Sequence, residues 1–303
     1  MIENSTEIAG TVATHTWLPP DRPARAWVQI AHGAAEHARR YTRFARALTA
    51  AGYAVVASDH RGHGDTARHT GGLGVVGPDG WRAVVEDLRR VGAHARAELP
   101  GIPLILFGHS MGAQLARDCA QEHGDTLDGL ILSGTFRSLP GCDPEAAERR
   151  LAAEIEAADR AVRSDFVPEL FGSFNDPYPH RTGFAWLSRD TAEVDRYVAD
   201  PACGFPFSAG LALDWVRGAR KINVPESLGR HPRDLPVHVA VGDRDPCHQG
   251  MTLVHELLED FRYRGVRDLT WAAYPGARHE ILNETNRDEV TADLVAWLDQ
   301  RFA

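Results

Sequence analysis

The sequence predicts an α/β fold in which a mostly parallel central sheet is flanked by helices and interrupted by an inserted helical cap. Three observations carry this expectation. Short β-rich runs alternate with segments of helical period along most of the 303 residues. The alternation fails between residues 139 and 235. And the pentapeptide Gly108-His109-Ser110-Met111-Gly112 lies between an apolar run and a helix-compatible segment. Strands are expected at 11–17, 26–31, 53–57, 103–107, 130–133, 237–241 and 269–274. Helices are expected at 38–51, 80–98, 111–122, 250–262 and 288–302. The last of these carries Val290, Leu294, Val295, Trp297 and Leu298, a stripe suited to packing on a sheet face.

This pattern divides the chain into a core of residues 1–138 and 236–303 and a cap of residues 139–235. The cap opens with a charged helical stretch, 145–163, followed by a region rich in proline and aromatics. It holds 10 of the 24 aromatic residues in under a third of the chain. That enrichment suits a lid over an acyl pocket and equally a small subdomain that needs its own apolar core.

Composition narrows the functional classes. With 43% hydrophobic and 25% charged residues the chain reads as globular, and a net charge of −9 argues against a nucleic-acid partner and against strong attraction to an anionic membrane. Residues 1–5 show neither a basic nor an apolar leader pattern, so a cytoplasmic protein is expected. Cys119, Cys142, Cys203 and Cys247 lack C-x-x-C spacing and read as structural or incidental, with no metal site or disulfide framework expected.

The pentapeptide has the form of a nucleophile elbow, whose turn from strand to helix is so sharp that the flanking positions must be glycine. A serine hydroxyl needs a histidine base, and the base needs a carboxylate that fixes its tautomer. On sheets with such an elbow the acid and then the base follow on loops after later strands. Asp245 follows the strand at 237–241 and His279 follows that at 269–274. Asp245 is therefore assigned as the acid, with Asp243 its neighbouring competitor, and His279 as the base, with His248 and His255 behind it. Two backbone amides must also face the developing oxyanion. Met111, directly after the nucleophile, supplies one, and the loop 32–37 supplies the other from Ala34, with Ala35 next.

Taken together, residues 32–37 with Arg40-Tyr41, residues 59–64, the elbow, residues 242–245, and residues 274–280 with Asn283-Glu284 resemble the monoacylglycerol lipase group of the α/β-hydrolase superfamily. Bacterial lysophospholipases and the S33 serine aminopeptidase-like hydrolases belong to the same group. The resemblance implies an α/β-hydrolase fold, Ser110, Asp245 and His279 as catalytic triad, Ala34 and Met111 as oxyanion donors, no cofactor, and a small acyl ester as substrate. It implies a structural role for the 59–64 block, although Asp59, His60 and His63 are also metal-ligand types. The sequence departs from the group in its cap: residues 145–163 are rich in Ala, Glu, Arg and Asp, with only Leu151, Ile155 and Val162 as larger aliphatics. At most weak membrane association is therefore expected. Lysophospholipid or amide cleavage is the alternative activity, and a non-catalytic binding module is the reading from another class.

Overall fold

The computed structural model describes residues 2–8 and 10–302. Eight strands form one sheet in the order β1-β2-β4-β3-β5-β6-β7-β8. They are β1 (Ile2–Ile8), β2 (Val12–Leu18), β3 (Trp27–Ala31), β4 (Ala54–Ser58), β5 (Leu104–His109), β6 (Gly129–Ser133), β7 (Val237–Gly242) and β8 (Leu269–Tyr274). From β4 onward across the sheet every pairing is parallel, while β1 with β2 and β2 with β4 are antiparallel. The seven expected strands are therefore present, within a residue or so of their expected limits. β1 is an addition that periodicity did not suggest: its row Glu3-Asn4-Ser5-Thr6-Glu7 is polar and exposed, as an edge strand with one neighbour can be.

The central strands are apolar because helices cover both sheet faces. Alternate residues of β5 show it. Ile105 and Phe107 join Phe44 and Leu48 of α1 (Thr42–Ala51) and Leu294 and Leu298 of α10 (Arg287–Phe302) in one core cluster. Leu104 and Leu106 join Val84 and Leu88 of α2 (Gly80–Glu98) and Leu115 of α3 (Met111–His123) in the other. The helix expected over 38–51 is split, with a 3₁₀ turn at Ala38–Tyr41 preceding α1.

Between β6 and β7 no residue joins the sheet. This stretch forms α4 (Pro144–Ala157), α5 (Phe166–Asn175), α6 (Thr191–Ala199), α7 (Ala209–Lys221) and α8 (Pro225–Arg230), and α9 (Thr252–Arg264) follows β7. Local chemistry sets several of these starts. Asp143 accepts the Glu145 and Ala146 amides ahead of Pro144, Asp190 accepts the Ala192 amide, and Ser208 accepts the Leu211 amide. α7 anchors the insertion to the core: Trp215 Nε1–H donates to Gln114 at 2.7 Å, and the Lys221 ammonium reaches Asp118, which also accepts Trp81 Nε1–H at 2.6 Å. Leu151, Phe171, Phe174 and Trp186 of this stretch continue the core cluster of α2 and α3.

Two glycines set the elbow geometry. A Cβ at Gly112 would stand 2.2 Å from the Ala31 carbonyl oxygen and 2.3 Å from that of His32, and one at Gly108 2.4 Å from the Gly112 carbonyl. Gly112→Ala is accordingly expected to cost about 1–3 kcal/mol in denaturant unfolding. Gly77→Ala, at an exposed position with no atom within 4 Å of its Cβ, is expected to change stability by less than about 0.5 kcal/mol.

Candidate active site

Ser110 sits between β5 and α3 with φ 54° and ψ −120°, a backbone state that a non-glycine residue holds only where its surroundings enforce it. Here backbone hydrogen bonds and close packing of the flanking glycines enforce it. The Ser110 amide donates to the Ser133 carbonyl at 3.0 Å, and its own carbonyl receives the Ala113 and Gln114 amides at the start of α3. The side chain stands beside the amino end of that helix, where exposed amides favour developing negative charge.

The two later loops meet next to it. A Cβ at Gly242, where β7 ends, would lie 2.2 Å from the Ala277 carbonyl oxygen and 2.3 Å from that of Arg278, so glycine there lets the two loops approach. Asp245 Oδ2 accepts a hydrogen bond from His279 Nδ1 at 2.8 Å, and Asp245 Oδ1 accepts the Cys247 amide at 2.8 Å. Both side chains are buried. The His279 ring lies 4.8 Å, centroid to centroid, from that of His109, the residue immediately before Ser110. The competing residues have other work. Asp243 accepts the Gly276 amide at 2.7 Å, closing a turn. His248 is spent on the Gly242 carbonyl and the Met251 amide, and His255 packs edge-on to Trp271. The Ser110 hydroxyl makes no hydrogen bond among the described residues; acid and base are joined, and the link from base to hydroxyl is not. Such links are commonly long in a ligand-free site and tighten when substrate is bound.

The loop 32–37 separates its amides by task. Gly33 donates to Glu36 at 2.6 Å, and Ala35 donates to His63 Nε2 at 3.2 Å. Neither Ala34 nor Met111 spends its amide within the described residues, which leaves these two free to act as donors and removes Ala35. Beneath the loop, His60 Nε2–H donates to the His32 carbonyl and His32 Nε2 accepts the His60 amide, both at 3.0 Å. His63 Nδ1–H donates to the Arg61 carbonyl at 3.0 Å. Burial is the main reason all three stay neutral, pushing His60 down to about 3 and His63 to about 4. Asp59 is likewise occupied by the Ala38 and Asp65 amides at 2.8 Å. The 59–64 block thus braces this loop with its ligand-type atoms already engaged.

Several residues at the site went unassigned in the sequence reading. Glu36 and Glu280 flank Arg40, whose guanidinium donates to Glu36 at 2.5 Å and to both oxygens of Glu280 at 2.6 and 2.8 Å, and lies 4.8 Å over the Tyr197 ring. Trp186 from the cap packs its ring 4.9 Å from His279, with Phe171 and Phe174 behind it. The cap and the base loop are also tied through backbone, the Glu280 amide donating to the Leu187 carbonyl at 2.8 Å. Glu36, Arg40, Tyr41 and Glu280 all fall within the quoted motifs, so their presence was legible and only their mutual pairing was not. Trp186 lies 93 residues from His279 in an irregular stretch, and no local pattern marks it.

Electrostatics complete the picture. Burial opposes charge on His279, but the Asp245 carboxylate and its hydrogen bond, helped by Glu280 and Glu36, outweigh it and hold the imidazole above the ordinary histidine value of 6.5. Burial likewise opposes charge on Asp245, yet His279 and the Cys247 amide keep it below the usual carboxylate range. A serine hydroxyl at a strained elbow, an oriented imidazole and two unspent amides can together carry out acyl transfer.

Comparison with known proteins agrees with this geometry. Residues 22–286 match the family described as serine aminopeptidase, S33. The chain is 30% identical over 298 residues to a monoacylglycerol lipase of Mycolicibacterium smegmatis, covering 96% of this chain and 94% of that protein. It is 29% identical to the human monoglyceride lipase, covering 95% and 86%. A highly thermostable carboxyl esterase from Bacillus coagulans, solved in complex with glycerol, superposes with a TM-score of 0.90 at 30% identity, over 100% of this chain and 99% of that one.

A base must be neutral to accept a proton, so activity is expected to rise with pH through the His279 pKa. Because that pKa is raised, the midpoint of the acid limb in kcat/KM should lie above 6.5. Asp245→Asn removes the main raising partner and leaves burial opposed only by Glu280 and Glu36, so the midpoint should fall while kcat drops by about 10⁴. A pH–rate profile of both proteins on a soluble ester reads both effects.

Proposed function

The chain belongs to the serine aminopeptidase S33 family of α/β-hydrolases, and from that premise we propose that it hydrolyses monoacylglycerol-like or other small acyl esters, with Ser110, His279 and Asp245 as its triad. The chain is an ester hydrolase, as its relatives and structural neighbours are. The observation that supports the residue assignment is the Asp245–His279 hydrogen bond, with the His279 ring 4.8 Å from that of His109, the neighbour of the strained Ser110.

In this reading Ser110 Oγ attacks the ester carbonyl while His279 Nε2 takes its proton. The Ala34 and Met111 amides hold the oxyanion. His279 then returns the proton to the leaving alcohol, giving an acyl-enzyme on Ser110 that water cleaves by the same steps in reverse. Asp245 keeps His279 in the tautomer that presents Nε2 and stabilises the imidazolium. No step calls for a cofactor.

Residues 139–235 act as the cap. Their aromatic cluster at Phe171, Phe174 and Trp186 offers an apolar wall for an acyl chain, and the Glu36–Arg40–Glu280 cluster offers polar groups to a hydroxylated leaving group. Ser110 is 8% exposed and His279 2% exposed, with the Trp186 ring packed on His279, so the cap borders the substrate's approach to the hydroxyl. Among the described residues no helix is long and apolar enough to cross a membrane, and the exposed face of α4 is charged, so substrate is taken from water or from a loosely touched surface. Four unpaired cysteines support a cytoplasmic site of action.

The test is steady-state kinetics on a chain-length series of monoacylglycerols, with lysophospholipids and aminoacyl amides in parallel. A clear preference in kcat/KM for monoacylglycerols or short esters is expected, whereas faster turnover of an amide or a lysophospholipid would replace the substrate assignment. Ser110→Ala should lose at least about a thousandfold in kcat. Near wild-type turnover by that variant would remove the mechanism.

A further inference from the structure

His37, Asp200 and Cys203 converge where the cap meets the loop that carries Ala34. His37 Nε2 lies 2.9 Å from Asp200 Oδ2, and one ligand-type atom from each of the three side chains falls within 4.8 Å of the others. The backbone holds them there. Asp200 Oδ1 accepts the Ala202 amide at 2.8 Å, fixing the turn that presents Cys203. The Gly204 amide then donates to the Ala35 carbonyl at 2.8 Å, and Tyr197 Oη–H donates to the same oxygen at 3.0 Å. Two segments 163 residues apart are thereby pinned at one point.

An imidazole, a carboxylate and a thiol make a donor set suited to a borderline-soft divalent cation, zinc foremost. Tetrahedral zinc, with bonds of about 2.0–2.3 Å, sets its ligand atoms roughly 3.3–3.8 Å apart, so the His37–Asp200 pair needs to open slightly from 2.9 Å and the widest separation, at most 4.8 Å, to close by up to about 1 Å, within the reach of side-chain rotation. The Asp200 side chain is 34% exposed and that of His37 13%, which leaves room for a water as fourth ligand. Burial chiefly, with Glu36, Asp200 and Glu280 adding to it and the Arg40 guanidinium opposing it, keeps the Cys203 thiol protonated, and since Arg40 is itself paired with Glu36 and Glu280, Asp200 is the carboxylate left to favour a dication. On binding, the sulfur–metal bond forms and the thiol proton passes to solvent.

We propose that His37, Asp200 and Cys203 form a zinc site which, when loaded, staples the cap to the oxyanion loop and slows turnover. The binding half stands on the cluster alone; the effect on turnover rests on the esterase reading.

Chelator-stripped enzyme titrated with zinc chloride in a calorimeter, with hydrolysis of a soluble 4-nitrophenyl ester followed in parallel, tests both halves. One zinc per chain with a Kd in the micromolar range or tighter is expected, together with a loss of rate that EDTA reverses. Cys203→Ser should weaken binding at least about tenfold and abolish the inhibition, with the zinc-free rate within about twofold of wild type. Asp200→Asn, at a partly exposed position, answers the same question if Cys203→Ser fails to fold. Asp245, Cys247 and His279 form a second convergent set, and zinc held there would inhibit directly. Inhibition that survives Cys203→Ser and vanishes in Cys247→Ser would overturn the proposal, as would the absence of binding heat in the wild type. A protein inert toward esters that still binds zinc through Cys203 would refute the esterase reading and leave the site standing.

Discussion

The hydrogen bond from His279 Nδ1 to Asp245 Oδ2 is the interaction on which the rest of the site depends. It joins two buried side chains 34 residues apart and leaves Nε2 as the imidazole nitrogen not engaged by the carboxylate. A buried imidazole without that carboxylate would stay neutral but unoriented; a buried carboxylate without the imidazole would be an uncompensated charge. Each makes the other affordable in a water-poor site. Glycine at 242 admits the contact, since a Cβ there would collide with the Ala277 and Arg278 carbonyls. The same steric logic recurs at Gly108 and Gly112, so backbone approach and charge pairing are two aspects of one constraint.

The stretch between β6 and β7 is joined to the loops on both sides of the site. It contacts the catalytic loops through Trp186 on His279, through the Leu187 carbonyl on the Glu280 amide, and through Arg189 on Glu284, at 2.8 Å from its Nε. It contacts the oxyanion loop through Tyr197 and Gly204 on the Ala35 carbonyl. Residues 186–204 are thus tied both to the loop that carries His279 and to the loop 32–37.

The core was readable from the sequence because parallel strands covered on both faces must be apolar along their length, as in Trp27–Ala31 and Val237–Gly242. The positions proposed for the triad were readable because they sit at the carboxyl ends of such strands. β1 was not, since an exposed edge strand owes little to burial and its polar row carries no period. Nor were α5 to α8: α5 and α8 carry both proline and glycine, and α6 and α7 begin at the Asp190 and Ser208 caps in a stretch without the strand–helix alternation of the core. Pairings across long separations were the least legible of all. Arg40 with Glu280 and His37 with Asp200 each join residues whose types are visible in the sequence but whose meeting only the folded chain reveals.

The most direct measurement of this account is a crystal structure of the enzyme after reaction with a phosphonate ester, which mimics the tetrahedral intermediate. It should show phosphorus bonded to Ser110 Oγ, the phosphoryl oxygen about 2.7–3.1 Å from the Ala34 and Met111 amides, and His279 Nε2 within hydrogen-bond reach of the adduct with its bond to Asp245 intact. An adduct on another residue, or a phosphoryl oxygen held by other groups while His279 points away, would contradict it.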